Sequence, residues 1–360
     1  MKPYALIWGL TAAAAAFCGW CAPRVPPAFA QGAANRVRPA EPSVETAKFR
    51  FTAHLLPRMS TDADHVAAAV TVTDRATGAS RDELLPDGSS VQRGIALSPD
   101  GRFVYTVHGI GRYKLPATQL ERGWQCSSAL SVFDAQTGAY LNTVSLDDET
   151  RGAANPWSVA VTPDGSRILV THAGTGELSI IDRAAFHRRF AERRTDPHLV
   201  ADFAFLRGVR ARVDLKGDGP RAFLRVDNRS ATIDLHFSDF TAEVQFDGGN
   251  RVVHVPKART STWTSARRGE FLFNDAKACF QQWQSCASCH PDGGKDGLKW
   301  DLRGDGVGNP RNTISPADGV HDRMACVAGS YDEDLFAEMP QGGARNLFDF
   351  VSALPRRDAP

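Results

Sequence analysis

The sequence predicts two domains of different fold class: an all-β repeat domain with the blade pattern of a β-propeller, then an all-α domain. Two observations carry this prediction. Strand–turn–strand repeats recur between about residues 49 and 257, and helical spacing of apolar residues replaces them from about residue 258. A chain of 360 residues is also longer than one hydrophobic core usually organises.

Residues 1–30 have the features of a signal peptide for export. Lys2 provides the positive charge, an apolar run extends from Ala5 to Ala22, and Ala28-Phe29-Ala30 forms a small-x-small cleavage site. We therefore expect cleavage after Ala30 and a mature chain that is exported, to the periplasm of a bacterium or otherwise outside the cytoplasm.

Two alternatives to cleavage exist at this terminus. The apolar run approaches the length of a membrane anchor, but the three prolines that follow it and the cleavage site favour removal. A lipid anchor on Cys18 or Cys21 lacks the usual preceding residues. No later stretch is apolar enough to span a membrane, so we expect no transmembrane segment after cleavage. Residues 31–48, rich in Pro, Ala and Arg, are predicted to be a linker.

The charge balance excludes one class of partner. The chain is 23% charged with a formal net charge of +1, and it has no Lys/Arg run interleaved with aromatic residues. Nucleic-acid binding depends on a basic surface that neutralises phosphates. We therefore expect no nucleic-acid partner.

The repeats alternate two kinds of segment. Pairs of strands joined by a Pro-Asp-Gly turn occupy residues 94–109 and 158–174, and strands that end in an Asp turn occupy residues 70–78, 130–138 and 178–186. Proline presets φ and glycine accepts positive φ, so Pro-Asp-Gly between apolar strands is a strong hairpin signal. The repeated order is the pattern of a propeller blade.

The spacing of the repeats limits the size of the ring. Asp74, Asp134 and Asp182 mark the turns, and an insertion at 109–127 accounts for the longer first interval. The repeats resemble those of bacterial propellers with Tyr-Val-Thr-Asn-type motifs. Residues 49–257 leave room for roughly five blades of ~40–45 residues. The propeller is therefore small, or it is incomplete and closes against the second domain.

One short motif carries chemistry. Cys286-Ala287-Ser288-Cys289-His290 is a Cys-x-x-Cys-His pentapeptide. Two thiols at this spacing reach the vinyl groups of one haem and form thioethers, while the adjacent imidazole binds the iron. The motif predicts one covalent haem c with Cys286 and Cys289 as anchors and His290 as the proximal ligand.

Three alternatives compete for the same cysteines. A thioredoxin-like redox pair needs a βαβ setting, which the surrounding sequence lacks. A zinc site would recruit Cys279 together with Cys326 or His321. The match can also arise by chance.

The flanks of the motif resemble c-type cytochrome domains related to bacterial di-haem cytochrome c peroxidases and MauG-type proteins. The resembling stretches are "RRGEFLFND" (267–275), "DGLKWDL" (296–302) and "NPRNT" (309–313). The resemblance implies an all-α mono-haem cytochrome c domain over residues 258–360. A propeller followed by such a domain is a recurring bacterial arrangement.

The sixth iron ligand would decide what the haem does. Met324 and Met339 are the candidates, with His321 or an open position as alternatives. A Met ligand saturates the iron and favours electron transfer, whereas an open position admits peroxide. Peroxidases of the family couple two haems, and this sequence holds a single Cys-x-x-Cys-His motif.

These observations predict an exported c-type cytochrome that transfers electrons to a redox partner protein, with the propeller as a docking or ligand-binding module and no catalytic residue. The first alternative is a MauG-like or peroxidase-like oxidoreductase. The second alternative is a propeller binding scaffold with a haem sensor. The ligand of the propeller is not predicted.

Other candidate residues have an ordinary structural interpretation beside the functional one. His108 and His172 occupy the same position in two repeats and would line a site or support the blades. Residues 301–309 would form a calcium loop or a turn. Cationic side chains near the motif could contact haem propionates; they are Lys295, Lys299, Arg303 and Arg311.

The remaining cysteines allow one disulfide and one free thiol, with the pairing open. They are Cys126, Cys279 and Cys326.

Overall fold

A computed structural model describes residues 41–58, 65–115, 125–258, 263, 265–277, 279–300 and 311–313. In this part of the chain most residues with regular structure lie in β-strands, and no helix is long and apolar enough to cross a membrane. The predicted signal peptide and its cleavage site lie outside the described residues. Strand β1 begins at Ser43, within the stretch assigned to the linker.

Four antiparallel sheets of four strands follow one another, and each sheet keeps its strands in chain order. The first sheet contains β1 (Ser43–Glu45), β2 (Phe49–Ala53), β3 (Ala69–Asp74) and β4 (Ser80–Leu84). The second contains β5 (Ser89–Leu97), β6 (Phe103–Gly111), β7 (Cys126–Asp134) and β8 (Tyr140–Ser145). The third contains β9 (Pro156–Val161), β10 (Arg167–His172), β11 (Glu177–Asp182) and β12 (Arg210–Asp214). The fourth contains β13 (Pro220–Val226), β14 (Ser230–Leu235), β15 (Phe240–Gln245) and β16 (Arg251–Pro256).

The sheets are arranged as propeller blades. The first strand of each sheet contacts the first strand of the next, β1 with β5, β5 with β9 and β9 with β13. Gly94 of β5 permits this close approach, because a Cβ there would lie 2.9 Å from the carbonyl oxygen of Trp157 on β9. The predicted β-propeller repeats are therefore confirmed, with four blades in the described part of the chain.

The turn signals in the sequence have clear structural roles. Gly101 and Gly165 of the two Pro-Asp-Gly turns have φ values of +64° and +72°, which favour glycine. Asp74 and Asp134 each accept two backbone N–H bonds through Oδ1. Asp182 caps helix α1 (Arg183–Arg193) by accepting the N–H of Ala185 at 2.8 Å.

Three apolar clusters fill the spaces between neighbouring sheets. The largest lies between the second and third sheets and includes Tyr105, Ile168 and Ile181, all fully buried. Helix α1 closes this cluster with Phe186 and Phe190, whose rings stack 5.5 Å apart. Since each cluster draws on two sheets, burial of apolar surface holds the blades together.

The predicted all-α cytochrome c domain is wrong for the described residues. Helix α2 (Ser265–Asn274) forms where helical spacing begins, but within the described residues the four-residue α3 (Cys286–Cys289) is the only α-helix that follows it. Between and after these helices the chain makes short turns, because Gln281, Gln282 and Asp292 have positive φ, which no α-helix accommodates. The chain is mostly β throughout the part that the structure describes.

Residues 274–277 and 279–300, which we call the cap, pack on one end of the propeller. This is the end opposite the Pro-Asp-Gly turns. The N–H of Ala276 donates to Gly174 O and the Gln281 carbonyl accepts from the N–H of Gly152, both at 2.8 Å. Ser90 Oγ donates to Asp296 O at 2.6 Å. The cap thus contacts the ends of both the second and third sheets.

The cap finishes in a small sheet of β17 (Lys299–Trp300) with β18 (Arg311–Asn312). Trp300 and Leu298 pack directly against Gly111 at the end of β6. A Cβ at this position would lie only 2.6 Å from Leu298 Cδ1, so the contact requires glycine. Asp296 is buried and accepts from Trp300 Nε1 at 2.7 Å and Thr313 Oγ1 at 2.6 Å. These bonds order the segment after the Cys-x-x-Cys-His motif.

Candidate functional site

The Cys-x-x-Cys-His motif lies in the cap and is fixed to the propeller by one asparagine. Ser285 is the N-cap of α3 and forms a capping box with Ser288. Asn155, just before β9, donates to Ser285 Oγ and accepts from Ser288 Oγ, both at 2.7 Å. The orientation of this helical turn therefore depends on the start of the third sheet.

The two motif cysteines are neutral thiols in this environment. Burial raises the pKa of Cys286 to about 11. The pKa of Cys289 is raised well above its usual value by a hydrogen bond with Cys126 and by burial, and the two sulfurs lie 3.8 Å apart. Thiolate is the reactive form of cysteine, so both side chains are held in their less reactive form.

The histidine of the motif has a defined ring orientation. Nδ1–H of His290 donates to Gly294 O at 3.2 Å, and the ring of Phe273 on α2 lies 6.3 Å away. Such a bond from Nδ1 to a carbonyl orients the other ring nitrogen of a metal-binding histidine. Cys286, Cys289 and His290 have the residue types and the order that a covalent haem requires. Attachment of a haem to Cys289 would break the contact between Cys289 and Cys126. Within the described residues no group of three His, Cys, Asp or Glu is placed to hold a metal ion.

The two repeat histidines are structural. His108 and His172 are fully buried, and each bonds through Nε2 to a serine hydroxyl, of Ser131 and Ser179, at 2.8 Å. Burial lowers the pKa of His108 to about 4 and, with nearby arginines, lowers that of His172 well below 6.5. Both are neutral at physiological pH. We therefore assign both histidines a structural role in the blades.

Several predicted site residues lie outside the described residues. They are Met324, Met339, His321, Cys326, Arg303 and the stretch 301–309. Lys295 lies in the cap and Lys299 on β17, where it is exposed, while Arg311 starts β18. The distal ligand, the propionate contacts, the zinc alternative and the disulfide pairing of Cys126, Cys279 and Cys326 stay predictions.

A cleft between the cap and the second and third sheets was not predicted. It encloses about 530 Å³, including the part open to solvent, and three tryptophans line it. Trp157 comes from β9, Trp283 from the cap and Trp300 from β17. The lining also includes Arg93 of β5. The second and third sheets and the cap together therefore form an aromatic cleft.

A cationic group adjoins the cleft. The guanidinium carbons of Arg93 and Arg221 lie 3.9 Å and 4.3 Å from the ring centre of Trp157. Successive members of this group are 64 residues apart in the sequence and lie on the first strands of successive sheets. Because the residue types differ, no repeated motif in the sequence pointed to them.

The buried carboxylate of Asp147 anchors the loop that precedes β9. Asp147 is fully buried, and its two oxygens accept the N–H groups of Ser128 and Ala153, both at 2.7 Å. Burial raises the pKa of Asp147 to about 6, against the effect of these bonds and of Arg212 and Arg112. The loop from β8 to β9, which delivers Asn155 and Trp157, is anchored here.

Four consecutive antiparallel four-stranded sheets, joined through their first strands and covered at one end, define a β-propeller-type protein. No family model matches the sequence. Hydrazine synthase subunit beta of Kuenenia stuttgartiensis is 23% identical over 147 residues, 39% of this chain and 38% of that protein. The match thus spans less than half of the relative.

Solved structures give weaker likenesses. Hydrazine synthase of Kuenenia stuttgartiensis has a TM-score of 0.43 at 20% identity, covering 59% of this chain and 56% of that one. A periplasmic gluconolactonase of Pseudomonas aeruginosa has a TM-score of 0.39 at 16% identity, and the match covers 62% of this chain and 59% of that one. A protein from Lactobacillus plantarum has a TM-score of 0.38 at 15% identity, and the match covers 62% of this chain and 57% of that one. No activity follows from likenesses of this size.

The sequence resemblance to c-type cytochrome domains must be corrected. Such domains are helical, whereas the described residues hold four four-stranded β-sheets, one two-stranded sheet and three α-helices of eleven, ten and four residues. Describing the chain as a cytochrome c electron carrier was therefore wrong. What the findings support is a propeller fold.

Proposed function

We propose that this chain is an exported β-propeller scaffold that binds a ligand at its capped end. The aromatic cleft is the observation that supports this function. Binding sites for small molecules are concave and largely apolar, and they hold a few positioned polar groups. The cleft has this character, since Trp157, Trp283 and Trp300 line it together with polar side chains such as Ser90 and Asn155.

Two polar residues of the lining hold the walls of the cleft in place. Ser90 Oγ bonds to the cap backbone, and Asn155 bonds to both serines of the capping box. Because these bonds join the cap to the propeller, they fix the cleft in one shape, as a binding site requires.

A neutral fluorescent dye tests the cleft. We expect Nile red to bind with a blue-shifted emission, because tryptophan walls exclude water from the dye. Ala287 lines the cleft and is 6% exposed, so Ala287→Leu fills the cleft and should weaken dye binding at least about tenfold. Fluorescence titration gives both affinities.

Ala184→Leu is the matched control, since Ala184 is exposed on α1, on the far end of the propeller from the cap. It should leave the affinity for Nile red unchanged. Equal binding by wild type and Ala287→Leu, or no binding by wild type, would exclude the cleft as the ligand site.

A haem sensor on the same scaffold is a second candidate function. The observation that favours it is the bond from Nδ1–H of His290 to Gly294 O, which orients the imidazole as a ligand requires. Cys286 and Cys289 would hold the porphyrin through thioethers and His290 would bind the iron, and Met324 or Met339 stays the predicted second iron ligand. The haem would supply a redox-active or gas-binding iron, and a redox partner protein would then dock near the cap.

Expression in a periplasm that matures c-type cytochromes tests this second candidate. The pyridine haemochrome spectrum and the intact mass should report one covalent haem, absent from Cys286→Ser and retained in Cys279→Ser. Recovery of wild-type protein from the periplasm without any haem would eliminate it.

A further inference from the structure

In the described part of the chain, Arg221 is a cation without a carboxylate partner. It is the second residue of β13, and its guanidinium carbon lies 4.3 Å from the ring centre of Trp157 and 5.2 Å from that of Phe237. Its Nε is buried and bonds to nothing in the described part of the chain. Buried polar groups in native proteins nearly always have a partner, so an exception calls for a physical reason.

The two neighbouring arginines differ from Arg221 in this respect. Arg93 pairs with Asp292 at 3.0 Å, and its side chain is 12% exposed. Arg267 pairs with Glu270 at 3.9 Å. Among the described carboxylates none forms an ion pair with Arg221. Glu270 and Asp292 attract Arg221 through space but bond to these other two arginines, so Arg221 has no direct acid partner among the described residues.

Arg212 shows how this protein normally accommodates a buried arginine. Its Nε also lacks a partner, but its terminal nitrogens bind the carboxylates of Glu177 and Asp148. Arg221 has the same buried Nε and no such carboxylate within the described residues. Burial lowers the pKa of Arg221 to about 10, the direction expected for a cation that is removed from water.

We propose that the guanidinium group of Arg221, between Trp157 and Phe237 and beside Arg93, binds a small oxyanion. The planar fork of an arginine donates two parallel N–H bonds to a carboxylate, phosphate or sulfate. The bound oxyanion supplies the acceptors that the protein does not. This inference rests on the proposed function in taking the capped end as the ligand site, and it names the chemical class of the ligand.

Thermal unfolding at constant ionic strength tests the oxyanion site. Acetate, phosphate and sulfate are each compared with chloride, and at least one should raise the Tm of wild type with concentration, since a ligand that binds only the native state stabilises it. The series of three anions identifies the chemistry preferred. Arg221→Gln should weaken the binding at least about tenfold, because bonds to a charged group are lost.

Arg225→Gln is the matched control, because Arg225 is on the same strand, is exposed and pairs with Asp227. It should keep the wild-type response. If Arg221→Gln does not fold, Arg221→Lys, which keeps the charge but loses the fork, replaces it and should also weaken binding. An equal response in wild type and the Arg221 variant, or no anion more effective than chloride, overturns the proposal.

Binding of Nile red distinguishes failure of the oxyanion site from failure of the proposed function. The dye is neutral, so Arg221→Gln should still bind it. Dye binding without an oxyanion response contradicts the oxyanion site alone, whereas loss of dye binding by wild type contradicts the scaffold function itself.

Discussion

Asp147→Asn should lower the free energy of unfolding by about 3 kcal/mol, although the two side chains have the same shape. Each carboxylate oxygen of Asp147 accepts one backbone N–H, from Ser128 and Ala153. An amide has one acceptor, so either orientation of asparagine places its NH₂ against an N–H donor in a fully buried site. Urea denaturation followed by circular dichroism measures the loss.

Asp134→Asn is the control for this prediction. Asp134 accepts the N–H groups of Gln136 and Thr137 through a single oxygen, both at 2.9 Å, so the amide oxygen of asparagine can replace it. We expect a change within about 1 kcal/mol. Similar losses for Asp134→Asn and Asp147→Asn would contradict the two-acceptor geometry.

The pH dependence of stability provides a second check on Asp147. Burial raises its pKa to about 6 in the folded chain, from 3.8. Between these values the folded state binds more protons than the unfolded state, so this carboxyl makes stability fall as pH rises from about 4 to about 6. Asp147→Asn should remove that contribution, which urea titrations at several pH values will detect.

Gly152→Ala should loosen the cap with little effect on the four sheets. A Cβ at Gly152 would lie 2.4 Å from Trp283 Cα and 2.5 Å from Gln282 O, and backbone atoms cannot rotate away. The φ of Gly152 is not in the positive range, so the clash and not backbone strain is the cause. Hydrogen exchange should accelerate at the amides of Gly152 and Ala276, which bond across this interface.

Gly109→Ala is the matched control, since a Cβ there meets its nearest atom, Ser90 O, at 3.5 Å. Exchange at the interface amides should stay at the wild-type rate. Gly152→Ala should also lose affinity for Nile red, because Trp283 forms one wall of the cleft. Unchanged exchange in Gly152→Ala would mean that the cap is not packed on the β8–β9 connection.

Local signals explain why the sequence predicted the sheets. A Pro-Asp-Gly turn or an Asp turn is complete within about five residues, as the bonds around Asp74 and Asp134 illustrate. The start of helix α2 was likewise predicted from its local spacing of apolar residues. These features need no knowledge of distant parts of the chain.

The cap could not be predicted in the same way. Its position depends on contacts between residues far apart in sequence, such as Ser90 with Asp296 and Gly152 with Gln281. Helical spacing suggested that the chain after α2 would form a helical domain, but α2 ends at Asn274, and Gln281, Gln282 and Asp292 further on have positive φ, which interrupts any helix there. The group of Arg93, Trp157 and Arg221 was missed because its members belong to three different sheets.

Disulfide cross-linking tests the central claim, that the cap with its Cys-x-x-Cys-His motif is packed on the propeller. The sulfurs of Cys126 on β7 and Cys289 in the cap lie 3.8 Å apart. We predict that a haem-free variant keeping only these two cysteines forms their disulfide during prolonged oxidation at alkaline pH, which favours thiolate, as mass spectrometry of linked peptides will show. A variant keeping only Cys126 and Cys279 should react far more slowly. Equal rates for the two variants, or no bond between Cys126 and Cys289, would contradict the account.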